Sequence, residues 1–257
     1  MTLRIGVSGA GGRMGATVCR AVSIDPDLEL VAAVDPGAVG GSVDGITIAG
    51  EPRVFADAGA EVVVDFTVAD AARRTVPWLA MHGIHAVVGT TGLTDDDLAG
   101  FAEEFGAGGP NCVVVSNFSI SAVLMMHFAE LAARWFDTAE IIELHHDGKA
   151  DAPSGTALAT ANRIAGASDQ WAPDPTRSEV LPGSRGGVGP AGIHVHSVRM
   201  RGMVAHQEVI FGALGQTLTL RQDSYDRESY MPGVILACKH VADHDGLTVG
   251  LDSLLGL

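Results

Sequence analysis

The sequence is short of basic residues: it has 16 Lys and Arg against 31 Asp and Glu, and its formal net charge at pH 7 is -15. It also lacks any run of Lys or Arg. Surfaces that bind nucleic acids or anionic membranes are basic, because the phosphate groups they contact are negative. The composition therefore argues against both of these partners and favours small molecules or other protein subunits.

Cysteine is equally scarce, and long hydrophobic runs are absent. The three cysteines, Cys19, Cys112 and Cys238, are far apart and lack the spacing of metal ligands, which predicts reduced, packed thiols and no metal site. The sequence starts almost directly with a predicted strand and has neither a basic leader nor an apolar segment that could span a bilayer. We therefore expect a cytoplasmic protein without a membrane segment.

Glycine is plentiful, and its first cluster lies between a predicted strand and a predicted helix. The strand Leu3–Ser8 runs into Gly-Ala-Gly-Gly-Arg-Met-Gly at residues 9–15, and the helix follows at Ala16–Val22. The glycines are spaced Gly-x-x-Gly-x-x-Gly with one additional glycine, so the motif alone is only weakly specific for dinucleotides. Its position between a strand and a helix is the context in which such a turn binds a dinucleotide.

An acidic residue after the second predicted strand supports that interpretation. The strand Leu28–Val34 is followed by Asp35, where a dinucleotide fold places the acid that binds the adenosine ribose diol. Asp35 repels a 2′-phosphate and favours NADH, whereas Arg13 on the glycine loop could reach such a phosphate, so NADH and NADPH both remain open. Alternatively, Asp35 is an ordinary turn residue, which requires the glycine loop to be incidental as well.

The first half of the chain alternates between strand-like and helix-like segments. Further buried strands are predicted at residues 62–66, 84–88 and 113–115, with helices at about 69–82 and 94–105. This alternation is typical of a doubly wound parallel sheet, whose ligands lie at the carboxyl ends of the strands. We therefore expect the loops at Gly9, Thr67, Gly89 and Asn117 to converge on one crevice.

Three other segments complete the predicted first domain. The loop of Gly89, Thr90 and Thr91 could hold the nicotinamide ribose or carboxamide, and an ordinary turn is an equally good interpretation. Residues 36–60 are predicted to be a loop-rich insertion with little regular structure. A final helix over about 228–242 is predicted to pack back onto the same sheet.

After residue 118 the pattern changes. It predicts a helix over about 122–135, an irregular segment at 167–192 that is either mobile or a lid, and antiparallel strands at 194–201, 206–211 and 216–221. A sheet with one open face would pack against a second copy and form a symmetric oligomer.

The predicted fold class is therefore α/β with two domains. Residues 1–118 and 226–257 would form a Rossmann-like dinucleotide-binding domain with a doubly wound parallel sheet. Residues 119–225 would form an α+β domain for substrate binding and oligomerisation, with a mixed or antiparallel sheet.

Two imidazoles and an ammonium fall within one short stretch of the second domain. Residues 143–156 read Glu-Leu-His-His-Asp-Gly-Lys-Ala-Asp-Ala-Pro-Ser-Gly-Thr. The largely apolar run 141–144 predicts a buried strand, so that His145 and His146 lie at its end, where α/β proteins usually place functional groups. Lys149 follows within one short turn, and we expect the chemistry here.

The second half of this stretch predicts an anion site. Ser154 is a credible N-cap for the helix that follows, and the backbone amides around Gly155 and Thr156 would bind a substrate carboxylate together with Lys149. A capped loop with surface histidines is the alternative, but such a loop gains nothing from combining these features.

Several motifs together closely resemble the 4-hydroxy-tetrahydrodipicolinate reductase family, also called dihydrodipicolinate reductases, over nearly the full chain. They are residues 143–157, the glycine loop 9–15, Asp-Phe-Thr at 65–67, Val-Gly-Thr-Thr-Gly at 88–92 and Asn-Phe-Ser at 117–119. The His-His-x-x-Lys-x-Asp-Ala-Pro-Ser-Gly-Thr match is highly specific, whereas the glycine loop is not. The segment from His194 to Asp226 resembles the actinobacterial branch.

The resemblance implies a homotetramer that reduces a cyclic unsaturated imine dicarboxylate with NADH or NADPH, in the diaminopimelate route to lysine. It implies that His145 is the proton donor and acceptor and Lys149 a second proton donor. The substrate contacts would be His146, Gly155 and Thr156. The implied dinucleotide contacts are Gly9, Ala10, Gly11, Gly12, Arg13, Met14, Asp35, Gly89, Thr90, Thr91, Val115, Ser116, Asn117 and Phe118.

Two other functions fit parts of the sequence. One is another two-domain NAD(P)-dependent reductase of a small carboxylate, such as an amino-acid or semialdehyde dehydrogenase. The acylating kind needs a nucleophilic Cys, and Cys112 lies in a predicted strand, which is a poor position for one. The other is a non-catalytic dinucleotide-sensing module, which gives no reason for His145 and Lys149 to lie beside a carboxylate site.

Overall fold

The computed structural model describes residues 2–106 and 108–257, which form two compact units. One unit comprises the chain up to Phe118 together with Tyr230–Leu257, and the other comprises Ser119–Ser229. Each unit has a sheet of its own. Within the described ranges, no helix is both long and apolar enough to cross a membrane.

The first unit opens with alternating strands and helices. In chain order they are β1 (Leu3–Ser8), α1 (Arg13–Ile24), β2 (Leu28–Val34), β3 (Ser42–Val43), β4 (Ile46–Ala49), α2 (Arg53–Asp57), β5 (Val62–Asp65), α3 (Ala69–Met81), β6 (His85–Val88), α4 (Asp95–Glu104) and β7 (Cys112–Val114). The central strands are almost continuously apolar, and β5 is buried along its whole length because both of its faces are covered.

The second unit follows with a different arrangement. Its elements are α5 (Ile120–Ala133), β8 (Thr138–His145), α6 (Gly155–Ala167), β9 (Gly187–Val188), β10 (His194–Arg199), β11 (Ala205–Ala213) and β12 (Gln216–Ser224). The strand order is β12-β11-β8-β10-β9. Strands β8 and β10 pair in parallel, while β11 is antiparallel to both of its neighbours, so the sheet is mixed.

The chain then returns to the first unit with α7 (Met231–His240) and β13 (Leu247–Val249). Strand β13 completes a sheet with the order β13-β7-β6-β5-β1-β2-β4-β3, in which only the β3–β4 pair is antiparallel. Helix α7 packs against α1 and β6, as expected for the final helix. The loops after β1, β5, β6 and β7 consequently lie along one edge of the sheet.

The turn between β1 and α1 depends on its glycines. Gly9 has φ +81°, a region that side chains rarely adopt, and a Cβ atom at Gly15 would lie 2.0 Å from the carbonyl oxygen of Gly9. Helix α1 therefore begins directly against the end of β1, with Gly12 as its N-cap and no side chain capping it.

The prediction for residues 36–60 was wrong. This segment contains β3, β4 and α2, and β4 extends the main sheet beyond β2. The fully buried ring of Phe55 packs over Gly6, where a Cβ atom would lie 2.5 Å from the ring. The many glycines of this segment predict turns, and they concealed the short alternating pattern of β4.

The predicted direction of the first of the three late strands was also wrong. Strand β10 runs parallel to β8, whereas β11 and β12 are antiparallel as expected. Alternating polarity identifies a strand but does not encode its direction. The direction follows from the connection, since α6 and the segment after it carry the chain back across the sheet.

The long segment after α6 is irregular, as predicted, apart from β9 and a short 3-10 turn at Pro190–Gly192. An ion pair and a polar contact tie it to the sheet: Arg185 pairs with Glu140 on β8 at 2.6 Å, and His194 on β10 lies 3.2 Å from Asp174. The expectation that it is mobile or a lid stays a prediction.

Replacing Gly15 by alanine should lower the urea midpoint of unfolding, because the new methyl group would meet the Gly9 carbonyl and force the turn apart. Overpacking of this kind costs about 1–3 kcal/mol. The matched control is Gly100→Ala in α4, where a Cβ atom meets nothing within 4 Å and which should gain roughly 0.5–1 kcal/mol of stability. Equal midpoints for the two variants would contradict this account of the turn.

Candidate active site

The end of β8 presents His145 beside a buried carboxylate. Along this strand Ala139, Ile141 and Glu143 face the core, and His145 is the last strand residue on the same side. The His145 side chain is 17% exposed, while His146 begins the connection and is exposed. The strand therefore fixes one imidazole and releases the other toward solvent.

Glu143 is completely buried, and its two oxygens accept hydrogen bonds from three different elements. Arg199 on β10 donates to Oε2 at 2.8 Å and to Oε1 at 2.7 Å. The backbone N–H of Ser154 donates to Oε1 at 3.1 Å, and Oε2 lies 2.5 Å from Nδ1 of His145. Burial alone would raise the pKa of Glu143, but hydrogen bonds from Arg199, Ser197 and His145 outweigh it and lower the pKa to about 2.

Burial also shifts the titration of His145. It lowers the pKa of the imidazole, and the positive charges of Lys149 and Arg199 act in the same direction. Glu143 opposes them through its hydrogen bond and its charge. A carboxylate with a pKa of about 2 can only accept a hydrogen bond near neutral pH, so Nδ1 of His145 carries a proton. The ring nitrogen that remains for proton exchange is Nε2.

The start of α6 lies on the other side of the same carboxylate. Ser154 is the N-cap, as predicted, and its hydroxyl accepts a hydrogen bond from the N–H of Ala157 at 3.2 Å. Gly155 and Thr156 form the first turn of this 13-residue helix, and a Cβ atom at Gly155 would meet nothing within 4 Å. The positive end of a helix of this length suits a carboxylate ligand.

Lys149 has a partner that the sequence did not indicate. Its ammonium lies 2.8 Å and 2.7 Å from the two carboxylate oxygens of Asp151, which is largely exposed. Hydrogen bonding to Lys149 lowers the pKa of Asp151. A carboxylate ligand that reaches Lys149 therefore has to share the ammonium with Asp151 or replace it.

In the first unit, the glycine loop and Asp35 lie together. The N–H groups of Gly9 and Ala10 donate to the carbonyl oxygen of Val34, which ties the loop to the end of β2. The Asp35 carboxylate accepts hydrogen bonds from the N–H of Gly11 at 3.0 Å and of Gly37 at 2.9 Å. Gly12 and Arg13 are exposed at the start of α1, with Met14 half-buried behind them.

This arrangement fits a dinucleotide. A Cβ atom at Gly11 would lie 2.5 Å from Cβ of Ala38 and 2.9 Å from Asp35 Oδ2, so only glycine leaves the backbone open here. The first turn of α1 offers backbone amides to a phosphate because no side chain caps it. A carboxylate at the end of β2 is the group that binds a ribose diol.

The loops after β6 and β7 meet at Phe66. A Cβ atom at Gly89 would lie 2.2 Å from its ring, and the ring of Phe118 lies 5.6 Å from it, centroid to centroid. Val115, which precedes the exposed Ser116 and the half-buried Asn117, donates its N–H to the carbonyl oxygen of Val88. These predicted cofactor residues therefore share one edge of the parallel sheet.

Thr90 differs from its two neighbours. It is buried, and its hydroxyl donates to Asp65 Oδ1 at 2.6 Å and accepts from the N–H of Thr67 at 2.8 Å. Gly89 is half-buried and Thr91 is exposed. The Thr90 hydroxyl thus stabilises the loops against Asp65, a contact that sequence reasoning did not identify.

Sequence reasoning also missed the partnership of Glu143 and Arg199. A local signal for Glu143 exists, because it is a single charge inside the apolar run 141–144. No local signal exists for Arg199, which is 56 residues away in the sequence and comes beside His145 only through the pairing of β10 with β8.

The three thiols are buried in the core. Cys19, Cys112 and Cys238 are free and buried, which confirms the predicted packing, and burial raises the pKa of each thiol, to about 12 for Cys19 and Cys238. None of them is a ready nucleophile. In residues 2–106 and 108–257, no cluster of three or more His, Cys, Asp or Glu side chains could hold a metal ion.

A parallel sheet with Asp35 beside a glycine turn, and a second unit with His145 beside the start of α6, are features of a two-domain nicotinamide-dependent oxidoreductase. Models for the N-terminal and C-terminal parts of dihydrodipicolinate reductase match residues 3–118 and 121–255. The chain belongs to the dihydrodipicolinate reductase family.

Curated relatives and a solved structure agree with this assignment. The chain is 51% identical to the 4-hydroxy-tetrahydrodipicolinate reductase of Cutibacterium acnes, over 99% of each chain, and 48% identical to that of Nocardia farcinica over the full length of both. Dipicolinate-bound dihydrodipicolinate reductase from Paenisporosarcina sp. TG-14 has a TM-score of 0.87 at 35% identity and covers 98% of this chain and 99% of its own.

These findings confirm the family, the fold class and the reductase activity expected from the sequence. Aspartate semialdehyde dehydrogenase II from Vibrio cholerae has a TM-score of 0.57 at 10% identity, over 95% of this chain and 100% of its own, and this likeness shows the fold alone. Together with the buried thiols, it leaves the semialdehyde alternative without support from the site.

Proposed function

We propose that this chain catalyses the NAD(P)H-dependent reduction of (2S,4S)-4-hydroxy-2,3,4,5-tetrahydrodipicolinate to 2,3,4,5-tetrahydrodipicolinate with loss of water, in the diaminopimelate route to lysine. The observation that carries the proposal is His145, held by Glu143 next to the start of α6, in a chain about half identical to reductases of that name. The reaction would take place in the cytoplasm, where the nicotinamide cofactor is regenerated.

The second unit binds the dicarboxylate. The first-turn amides at Gly155 and Thr156 receive one carboxylate, because the positive end of α6 favours an anion there. His146, which is exposed, adds a further contact, and Lys149 exchanges Asp151 for a substrate oxygen. Dipicolinate, the compound bound in the Paenisporosarcina structure, is a ring with two carboxylates and supports this choice of ligand.

The first unit binds the dinucleotide. The glycine loop and the start of α1 receive the phosphates, and Asp35 binds the adenosine ribose. The loops after β6 and β7 receive the nicotinamide half. The proposed contacts are Gly9, Ala10, Gly11, Gly12, Arg13, Met14, Asp35, Gly89, Thr90, Thr91, Val115, Ser116, Asn117 and Phe118, where Thr90 acts through its backbone because its hydroxyl is bonded to Asp65.

His145 supplies the proton. The 4-hydroxyl would leave with a ring proton as water, NAD(P)H held by the contacts above would supply a hydride to the resulting conjugated ring, and the added electron pair would be delocalised through the imine system. Nε2 of the protonated imidazole donates to that system, and Glu143 stabilises the imidazolium. Lys149 offsets the charge of the substrate and serves as the second proton donor. A dinucleotide-sensing module would need neither group.

His145→Gln should lower kcat by about 10²–10⁴-fold, because general acid catalysis is lost, with little change in NADH binding. Lys149→Met should raise the KM for the dicarboxylate by about 10–100-fold, since a charged hydrogen bond is lost, and should also lower kcat, since the second proton donor is lost. The assay is NADH loss with substrate produced in situ by the upstream synthase from pyruvate and aspartate semialdehyde.

His127→Gln on α5 and Lys239→Met on α7 are the matched controls for these two variants. Both should turn over like the wild type. Unchanged turnover of His145→Gln, or NADH loss that does not depend on the synthase, would refute the proposed reaction.

Asp35→Asn should raise the ratio of kcat/KM for NADPH to that for NADH by about tenfold, since a like charge beside the 2′-phosphate is removed. Gly11 and Gly37 donate to different oxygens of Asp35, so asparagine keeps one of the two hydrogen bonds, and the loop should persist with a modest loss of stability. Steady-state kinetics with both cofactors measure the ratio, with the exposed Asp57→Asn as control. A ratio that stays constant would remove Asp35 from cofactor selection.

We also infer a homotetramer formed through the second unit. Helices α5 and α6 pack on one face of its sheet, while Ile142, Leu144 and Ile210 on the other face alternate with buried residues and are only half-buried. Light scattering should give about four times the chain mass of 26.5 kDa. Ile210→Asp should give smaller particles, and a monomeric wild type would overturn the inference.

A further inference from the structure

We propose that Glu143 is a positioning residue of the reaction, which holds His145 with its proton on Nδ1 and fixes it relative to the helix start that receives the substrate carboxylate. The inference rests on the proposed function, because it assigns Glu143 a role through the proton donor of that reaction. Glu143 does not itself touch the substrate.

The two oxygens of Glu143 have separate tasks. Oε2 accepts from Nδ1 of His145 at 2.5 Å, which leaves Nε2 as the exchanging nitrogen. Oε1 accepts from the N–H of Ser154 at 3.1 Å, immediately before the first turn of α6. One rigid carboxylate therefore sets the distance between the proton donor and the proposed anion site, which general acid catalysis requires to within fractions of an ångström.

Arg199 makes this arrangement possible inside the unit. An unpaired carboxylate at a completely buried position would be strongly unfavourable, and the two hydrogen bonds from Arg199 compensate it. Arg199 also donates to the carbonyl oxygen of Asp151 at 2.7 Å, so it ties β10 to the connection that carries Lys149. The ion pair of Glu143 and Arg199 thus joins β8, β10 and the connection between β8 and α6.

The charges around His145 act in opposite directions on its pKa. Glu143 on its own strand favours the imidazolium, while Arg199 from β10 and Lys149 from the connection disfavour it. Asp151 neutralises Lys149, α6 contributes the N–H of Ser154 to Glu143, and β11 places only Ala205 opposite His145. Removing the carboxylate should therefore lower the pKa of His145, and removing the guanidinium should raise it.

Glu143→Gln and Arg199→Met test this opposition. The acid must be protonated to act, so kcat falls as pH rises through the pKa of His145. In Glu143→Gln this fall in kcat should occur about one pH unit lower than in the wild type, and in Arg199→Met it should occur at higher pH. Glu143→Gln should also lower kcat near neutral pH by about tenfold, with the KM for NADH unchanged.

If Glu143 and Arg199 only stabilised the fold, replacing them would not shift the pKa of His145 in opposite directions. Because Glu143→Gln leaves the half-buried guanidinium of Arg199 without its carboxylate partner, the double variant Glu143→Gln with Arg199→Met is included to remove both charges and preserve folding. Glu140→Gln is the matched control: Glu140 on the same strand also pairs with an arginine and a histidine, Arg185 and His196, and its loss should leave the titration of His145 unchanged.

NMR spectroscopy of histidine-labelled protein measures the tautomer and the pKa of His145 without turnover. Long-range proton–nitrogen spectra, with His145 assigned by its loss in His145→Gln, should show the Nδ1-protonated tautomer in the wild type and the two opposite pKa shifts in the variants. The Nε2-protonated tautomer in the wild type, or shifts of the same sign or of zero, would overturn the proposal. Failure of the proposed reaction would appear separately, as a wild type that consumes no NAD(P)H in the synthase-coupled assay.

Discussion

The second unit depends on one buried ion pair, the carboxylate of Glu143 with the guanidinium of Arg199. Burying either charge alone is costly, so each requires the other at hydrogen-bond distance. The same carboxylate also accepts hydrogen bonds from the ring of His145 and from the N–H of Ser154. The ion pair therefore fixes the end of β8, the start of α6 and the imidazole together. The positions of the imidazole and of the helix start therefore follow from the need to pair one buried carboxylate.

This pair can form only because β8 and β10 run in the same direction. In the parallel register Arg199 lies opposite His145, at the carboxyl ends of both strands. Antiparallel pairing would carry the end of β10 to the far side of the sheet and leave Glu143 without a cation. The crossover through α6 sets the parallel direction and also delivers Ser154 to the carboxylate, so one connection supplies both the strand direction and the capped helix.

Features with local causes could be predicted from the sequence. The glycine turn before α1, Asp35 at the end of β2 and the Ser154 cap each depend on a few neighbouring residues. Features with distant causes could not: Arg199 meets Glu143 across 56 residues, and the inward hydroxyl of Thr90 depends on Asp65 in another strand. The segment 36–60 was mistaken for loops because its buried contacts are made with Gly6, far from its own pattern.

In the proposed reaction, a chain with a net charge of -15 binds a dianion. The cations near His145 are matched locally, Arg199 by Glu143 and Lys149 by Asp151. In the proposed binding mode, the oriented backbone at the start of α6 offers a carboxylate a field that does not change with pH. Because Asp151 is exposed and Glu143 is buried, the Lys149 pair exchanges its partner for a ligand more readily than the Arg199 pair does.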